Sequence, residues 1–236
     1  MEGNRAVFKF KQFTIHQEKC GMKVAIDSCI FGASIDVKNG DKILDIGTGT
    51  GLLSLMLAQK ADVQIDAVEI DQLAYYQAKS NISDSPFDAN ITIHHIDIKE
   101  FNGINYDLII VNPPFFEKDL NSPNSQKNKA KHQSELTFEI LAETISAKLS
   151  LKGRAAVLLP PTGMAKFVKL MSINGLYLSK MIQIKHQEIK APIREIAEFS
   201  NINQPAFIKE FCIKGADNVT YTKEFQELMK EYYIIF

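Results

Sequence analysis

Residues 41–51, DKILDIGTGTG, join a short apolar run to three closely spaced glycines. The run 41–47 is rich in aliphatic residues and bounded by a glycine, which predicts a β-strand. Residues 51–61, GLLSLMLAQKA, carry leucines at helical spacing. A strand, a glycine turn and a helix in that order are typical of the first unit of a parallel sheet. The segment therefore predicts an α/β fold.

Strands and helices alternate in the chain that follows this unit. Strands are predicted at 41–47, 63–70, 90–97, 106–112, 153–160, 176–187 and 195–201, with 207–215 as a further candidate. Helices are predicted at 51–61, 71–82, 135–150 and 222–233, the second opening with Asp71 as a capping residue. Several strands are continuously apolar, as expected where helices cover both faces of a sheet. The pattern predicts a doubly wound, mostly parallel sheet.

Composition and charge exclude several classes of protein. The chain has 236 residues, of which 45% are hydrophobic and 23% charged, values that are ordinary for a globular protein. No apolar run reaches the roughly 18 residues that cross a bilayer, and no secretion signal is visible. We therefore expect a cytoplasmic protein that does not bind a membrane. Three cysteines and five histidines lack zinc-site spacing, which disfavours a metal site.

The spacing of the glycines, Gly47, Gly49 and Gly51, points away from a dinucleotide. The dinucleotide pattern G-x-G-x-x-G would need a glycine at the position of Leu52. A helix N-terminus can still hold a carboxylate, and Asp45 can accept hydrogen bonds from an ammonium group. These features favour a nucleoside that carries an amino-acid tail over a diphosphate.

Two further acidic residues end the next predicted strands. Glu69 follows the glycines by about 20 positions, where an acidic residue binds ribose hydroxyls. Asp97 ends the strand 90–97 and is placed to accept a hydrogen bond from an adenine amino group. Because parallel strands end at one edge of the sheet, these carboxylates and Asp45 are expected to converge on one crevice.

The strand 106–112 ends in an unusual tetrapeptide, Asn112-Pro113-Pro114-Phe115. Prolines cannot donate to a sheet, so they end the strand and stiffen the loop after it. Together with the glycine loop and the acids, this tetrapeptide resembles the class I S-adenosylmethionine-dependent methyltransferases over about residues 40–160. The resemblance implies a Rossmann-like sheet of seven strands, one of them antiparallel, and S-adenosyl-L-methionine as cofactor.

The family resemblance also assigns roles to these residues. It implies catalysis by Asn112, Pro113, Pro114 and Phe115, and cofactor contacts by Asp45, Gly47, Gly49, Gly51, Glu69, Ile70 and Asp97. The acceptors of Asn112 and Pro113 would hold an exocyclic amino group so that its lone pair faces the methyl. Phe115 would offer a ring on which the target base stacks after it leaves its own stack.

The flanking segments resemble the bacterial adenine-N6 methyltransferases that modify adenine 37, next to the anticodon, in a valine tRNA. Residues 8–33 and 221–236 carry this resemblance, which implies the anticodon stem-loop as substrate. We separately expect a monomer. Lys23 and Asp27 lie where that family closes over the cofactor, although a Lys–Asp pair at this spacing is also an ordinary ion pair on a helix.

A basic segment after the tetrapeptide is the predicted RNA contact. The net charge of −1 gives no global basic field, so binding must come from local patches. The expected contacts are Lys127, Lys129, Lys131 and His132. The expected organisation is one domain, 1–236, with a closing segment 1–39, a cofactor-binding core 40–160 and C-terminal strands with a helix in 161–236.

Other functions share parts of this pattern. A release-factor glutamine N5-methyltransferase usually carries a helical domain before the glycines, and only about 40 residues precede them here. An rRNA guanine-N2 methyltransferase remains open, whereas a DNA adenine methyltransferase normally needs more chain. A non-catalytic alternative is an RNA chaperone that binds the same cofactor, which the intact Asn112 and prolines disfavour.

Overall fold

A computed structural model describes residues 7–21, 23–113 and 136–236. In chain order its elements are β1 (Val7–Lys9), β2 (Thr14–His16), α1 (Ile26–Ser34), β3 (Lys42–Ile46), α2 (Leu52–Ala58), β4 (Gln64–Glu69), α3 (Gln72–Ser83), a 3-10 turn (Asp88–Asn90), β5 (Ile91–His95), β6 (Tyr106–Val111), α4 (Phe138–Lys148), β7 (Leu149–Leu159), α5 (Pro161–Ile173), β8 (Tyr177–Lys185), β9 (Pro192–Ser200), β10 (Phe207–Cys212) and α6 (Lys223–Met229). No helix among the described residues has the length and apolar character needed to span a bilayer.

Eight of these strands form one sheet, in the order β10-β8-β9-β7-β6-β3-β4-β5. Only β9 is antiparallel to its neighbours β7 and β8. The predicted doubly wound, mostly parallel sheet with one antiparallel strand is confirmed. The predicted count of seven strands was one too low, because β10 adds to the edge by pairing in parallel with β8 from Phe207 to Cys212.

The sheet is buried on both faces, as its continuously apolar strands predicted. In β3, Ile43 packs into the core on one face, whereas Leu44 and Ile46 pack into the core on the other. In β6, Ile110 and Val111 are divided between the faces in the same way. Full burial of one such side chain stabilises the fold by about 1.5–3 kcal/mol. The side chains buried on both faces therefore stabilise the central strands in their observed register.

The helix ends follow local chemistry. Asp71 caps α3 as predicted, because its side chain accepts a hydrogen bond of 2.8 Å from the backbone N–H of Ala74. Helix α5 was not predicted, since Pro160 and Pro161 look like helix breakers in the sequence. Pro161 occupies the start of the helix, where its missing N–H would have had no helical partner.

The two termini pack against each other beside α2. Phe10 forms an antiparallel bridge with Tyr233, and the backbone N–H of Lys11 donates to the carbonyl of Tyr232 at 2.9 Å. Phe10 and Phe13 stack with their ring centroids 4.6 Å apart. The hairpin of β1 and β2 is thereby anchored, and the chain that leaves it runs toward the carboxyl edge of the sheet.

Strand register brings the ends of the central strands together. Ile46 lies opposite both Val68 and Val111 in the parallel ladders. The residues that follow these positions, Gly47, Glu69 and Asn112, are therefore neighbours at one edge of the sheet.

Candidate active site

A cavity of about 960 Å³ opens at this edge. Its walls are the glycine loop, the turns after β4 and β5, the end of β6, the segment that precedes α1, and Arg194 from β9. Eight of the residues singled out in the sequence line it, namely Lys23, Asp27, Gly47, Gly49, Glu69, Ile70, Asp97 and Asn112. Glu69 and Asp97 therefore meet at one crevice as predicted, whereas Asp45 and Gly51 are not among the residues that line it.

The glycine loop has positive φ angles, which residues with a side chain rarely adopt. Gly47, Gly49 and Gly51 have φ angles of 71°, 58° and 81°. A Cβ on Gly47 would meet no atom within 4 Å among the described residues, and one on Gly49 would meet only the Gly47 carbonyl, at 4.0 Å. The loop thus leaves open space along its cavity side, which suits close approach of a ligand.

Asp45 fastens the glycine loop to α2. Its Oδ2 accepts hydrogen bonds from the hydroxyls of Thr48 at 2.6 Å and Ser54 at 2.7 Å. Its Oδ1 is buried and has no partner within the part of the chain that the structure describes. The residues found to line the cavity include Ile46 and Gly47 rather than Asp45. Contact between Asp45 and an ammonium group therefore stays a prediction, alongside this structural role.

Burial raises the pKa of Asp45 to about 6, although the hydroxyls of Thr48 and Ser54 oppose the shift. Between the ordinary pKa of 3.8 and this value, the folded chain holds a proton that the unfolded chain has released. Folding stability from this group therefore falls as pH rises through that window. Asp45→Asn cannot ionise, so its free energy of unfolding should not fall in this way. As pH rises from about 4 to about 7, we expect the free energy of unfolding of Asp45→Asn to increase relative to that of wild type by on the order of 3 kcal/mol.

Urea unfolding of both proteins at several pH values measures this gain. A difference in unfolding free energy that stays constant across the window would contradict the assigned ionisation. Asp36→Asn, at an exposed position outside the cavity wall, is the matched control and is expected to show no such pH dependence.

Glu69 binds two backbone donors from the loops on either side of it. Its Oε2 accepts from the N–H of Gly49 and its Oε1 from the N–H of Asp71, both at 2.9 Å. Each carboxylate oxygen has a second lone pair, which leaves room for a ligand hydroxyl. Glu69 therefore fixes the glycine loop against α3 while its carboxylate lines the cavity.

The turn after β5 supplies the other end of the cavity. Asp97 accepts from the backbone N–H of Lys99 at 2.9 Å and pairs with the ammonium of Lys99 at 3.1 Å. Ile70 is 59% exposed although it is aliphatic, and Ile98 is buried beside it. An apolar surface next to a carboxylate is the arrangement that a flat heterocycle with an amino group would contact.

The segment before α1 crosses the cavity and is held by its own side chains. The ammonium of Lys23 donates to the carbonyl of Gln17 and, at 3.2 Å, to that of Cys20. The backbone N–H of Val24 donates to the side chain of Gln17 at 2.6 Å. Burial raises the pKa of the Cys20 thiol to about 11, which keeps it neutral. Lys23 thus binds two backbone carbonyls of this segment, which lines the cavity.

Asn81 of α3 connects this segment to the glycine loop. Its amide exchanges hydrogen bonds with the backbone N–H and carbonyl of His16, at 3.0 and 2.9 Å. The same amide donates to the carbonyl of Thr50 at 2.9 Å. Asn81 is buried, so these bonds are shielded from water and hold both sides of the cavity to one helix.

Asp27 forms its ion pair with Arg194 of β9. Its Oδ2 pairs with Nε of Arg194 at 3.1 Å, and its Oδ1 accepts from the backbone N–H of Ser28 at 2.8 Å. Arg194 was missed in the sequence, because β9 reverses direction and only its antiparallel course brings its first residues to this edge. Ser28 was missed as well, and no pattern in the sequence marks it.

Asn112 lines the cavity, and the structure shows one hydrogen bond of its amide. Its Nδ2 donates to the hydroxyl of Ser28 at 3.0 Å, whereas its Oδ1 is buried and unpaired among residues 7–21, 23–113 and 136–236. Pro113 follows it and is also buried. The arrangement is a fixed acceptor beside a cavity. The other residues predicted to act here, Pro114, Phe115, Lys127, Lys129, Lys131 and His132, lie outside the described residues.

Known sequences are similar to this chain over nearly its full length. Residues 20–135 match the family model for the methyltransferase small domain. A protein of Dyadobacter fermentans named tRNA1(Val) (adenine(37)-N6)-methyltransferase is 42% identical over 236 residues, which cover 98% of each chain. A protein of the same name from Pseudoalteromonas translucida is 41% identical, over 96% of this chain and 98% of its own.

Solved structures resemble the fold. A predicted O-methyltransferase of Agrobacterium tumefaciens superposes with a TM-score of 0.68 at 15% identity, over 87% of this chain and 96% of its own. A TehB-like SAM-dependent methyltransferase of Corynebacterium glutamicum has a TM-score of 0.51 at 16% identity, over 76% of this chain and 89% of its own. At these identities the likeness concerns the fold alone.

Proposed function

The chain belongs to the tRNA1(Val) (adenine(37)-N6)-methyltransferase family, and we infer that it methylates the exocyclic N6 of adenine 37 in that tRNA. It is an S-adenosyl-L-methionine-dependent methyltransferase. The observation that carries the assignment of the site is the Oδ1 of Asn112, a buried acceptor without a partner among the described residues, beside a cavity lined by Glu69 and Asp97.

The residues of the cavity fit S-adenosyl-L-methionine. Glu69 would accept hydrogen bonds from the ribose hydroxyls, and Asp97 with Ile70 would contact the adenine ring. The open space beside Gly47 and Gly49 is what a bulky ligand would fill. When bound, the cofactor supplies an electrophilic methyl group on a sulfonium.

The chain's own contribution is to prepare the target nitrogen. An exocyclic amine is a weak nucleophile because its lone pair is delocalised into the purine ring. The Asn112 Oδ1 and the Pro113 carbonyl accept hydrogen bonds from the two N–H groups, which favours a tetrahedral nitrogen whose lone pair projects from the ring. The same acceptors stabilise positive charge that develops on this nitrogen. Pro113 restricts the backbone, so the acceptors are aligned before the substrate arrives.

The direct test uses labelled cofactor and total tRNA from cells that lack the enzyme. We expect label in N6-methyladenosine, mapped by mass spectrometry to position 37 of the valine tRNA. Labelled guanine, labelled release factor, or cofactor binding without transfer would each reject the assignment.

The basic segment with Lys127, Lys129, Lys131 and His132 is proposed to bind the anticodon stem-loop. Its support is the sequence, since a chain with a net charge of −1 must concentrate positive charge locally to bind RNA. We expect replacement of the three lysines by alanine to weaken tRNA binding and to lower the slope of log K against log salt by about two.

Filter binding at several salt concentrations measures this change. A matched triple variant replaces Lys38, Lys152 and Lys169, which are exposed and lie away from the cavity. If the slope falls equally in both variants, or in neither, the segment is not an RNA contact.

We also propose that residues 1–236 act as one domain, in the cytoplasm, and as a monomer. The closing segment 1–39, the core 40–160 and the region 161–236 share packing, since Phe10, Leu55 and Tyr233 belong to one hydrophobic cluster. The tRNA substrate supports the location.

A further inference from the structure

Ser28 is the side chain to which the amide of Asn112 is tied. It lies in the first turn of α1, is 8% exposed, and lines the cavity. Its hydroxyl oxygen accepts the 3.0 Å hydrogen bond from Nδ2 of Asn112. The other end of that amide, Oδ1, has no partner in the described parts of the chain. Among the described residues, the amide is therefore bound at its donor end only.

The orientation of this amide decides whether it helps or hinders an amine. A primary amide can turn about its last side-chain bond and exchange its NH₂ and C=O ends. With the NH₂ end toward the substrate, N–H donors would face the N–H donors of the target, and no hydrogen bond would form. With Oδ1 toward the substrate, the amide accepts. A nearby oxygen that receives the NH₂ end favours the second orientation.

We propose that Ser28 is a positioning residue, which holds the Asn112 carboxamide with its oxygen toward the target nitrogen. The inference rests on the proposed function, because it gives Ser28 a role only through Asn112. Ser28 itself is assigned no contact with the methyl donor or with the reacting atoms.

Ser28 is suited to this role because the start of its helix is fixed from two sides. Its backbone N–H donates to Oδ1 of Asp27 at 2.8 Å, and Oδ2 of Asp27 pairs with Arg194 of β9 at 3.1 Å. The next residue, Cys29, begins the regular helix by donating to the carbonyl of Ala25 at 3.1 Å. The Ser28 hydroxyl therefore lies on a helix whose start is joined to β9 of the sheet. This connection fixes the distance between the hydroxyl and Asn112 at the end of β6.

The test compares Ser28→Ala with Ser28→Thr, which keeps a hydroxyl. We expect Ser28→Ala to lower kcat by about tenfold to a hundredfold, because the amide loses its only described partner and turns freely. KM for tRNA and Kd for the cofactor are expected to stay within about twofold of wild type. Ser28→Thr is expected to recover most of kcat. Ser34→Ala, in the last turn of the same helix, is the control and should match wild type.

A double variant separates this inference from the proposed function. In an Asn112→Ala background, Ser28→Ala is expected to cause no further loss of kcat, because the side chain it positions is absent. Equal losses in both backgrounds, or a Ser28→Ala enzyme with wild-type kcat, would overturn the role of Ser28 while leaving the function intact. Full activity of Asn112→Ala alone would instead refute the proposed role of Asn112, and this inference with it.

Discussion

The Asn112→Ala enzyme is expected to lose about a hundredfold to a thousandfold in kcat while it binds the cofactor as wild type does. The loss follows from removal of a fixed acceptor that stabilises charge on the target nitrogen, an effect of the size seen when one such group is deleted. Cofactor binding should survive because the described bond of the Asn112 side chain is to Ser28, and Glu69, Asp97 and the glycine loop are untouched. Single-turnover kinetics and calorimetric titration measure the two quantities separately.

Asn201→Ala provides the control for this variant. Asn201 follows β9 at the opposite edge of the sheet, where its amide donates to the carbonyl of Leu151 at 2.6 Å. The control is expected to retain wild-type kcat. A parallel loss of turnover and cofactor affinity in Asn112→Ala would show that Asn112 binds the cofactor and does not prepare the nucleophile.

Glu69→Gln is expected to weaken cofactor binding and to leave kcat nearly unchanged, the opposite of Asn112→Ala. One of the two carboxylate oxygens becomes an NH₂ group, which faces the backbone N–H of either Gly49 or Asp71 and cannot accept from it. A hydrogen bond to a charged group is lost, and the link between the glycine loop and the start of α3 is weakened. We expect the Kd for cofactor to rise by about tenfold to a hundredfold, with kcat at saturating cofactor nearly unchanged.

Titration of the cofactor product into Glu69→Gln and wild type measures this difference. Glu100→Gln, at an exposed position in the turn after β5, is the matched control. Wild-type affinity in Glu69→Gln would show that the carboxylate serves only the loop. A lower kcat at saturating cofactor would place Glu69 in the transfer step, against the role proposed for it.

Much of the site was predictable because it is built on the ends of parallel strands. Gly47, Glu69, Asp97 and Asn112 each follow a predicted strand, and strands that run in parallel must end at one edge. Their convergence therefore required only correct strands and a right-handed doubly wound order. The place of the cavity at this edge was thus predictable from the order of the strands.

The partners of these residues were not predictable. Arg194 reaches the cavity only because β9 runs antiparallel, and the pairing of Asp27 with Arg194 joins residues 167 positions apart in the chain. Lys23 was expected near the cofactor, and the structure shows it donating to backbone carbonyls. Such hydrogen bonds depend on side-chain directions that residue spacing does not contain.

In the fold, too, some features were predictable from the sequence and others were not. The central strands were predicted from their apolar runs, whereas helix α5 was hidden by Pro160 and Pro161, which end most helices but can also begin one. Residues 207–215 were a candidate strand in the sequence, but nothing in the sequence indicated that β10 pairs with β8.

A structure of the enzyme with S-adenosyl-L-homocysteine and an anticodon stem-loop is the sharpest test of the proposed chemistry, through the distances from the target N6 to Asn112 Oδ1 and the Pro113 carbonyl. We predict that both are within hydrogen-bonding distance, about 2.7–3.2 Å, with Glu69 on the ribose of the cofactor product. An N6 that lies away from both oxygens, or an Asn112 amide that presents its NH₂ end to the base, would contradict the proposed role of the tetrapeptide.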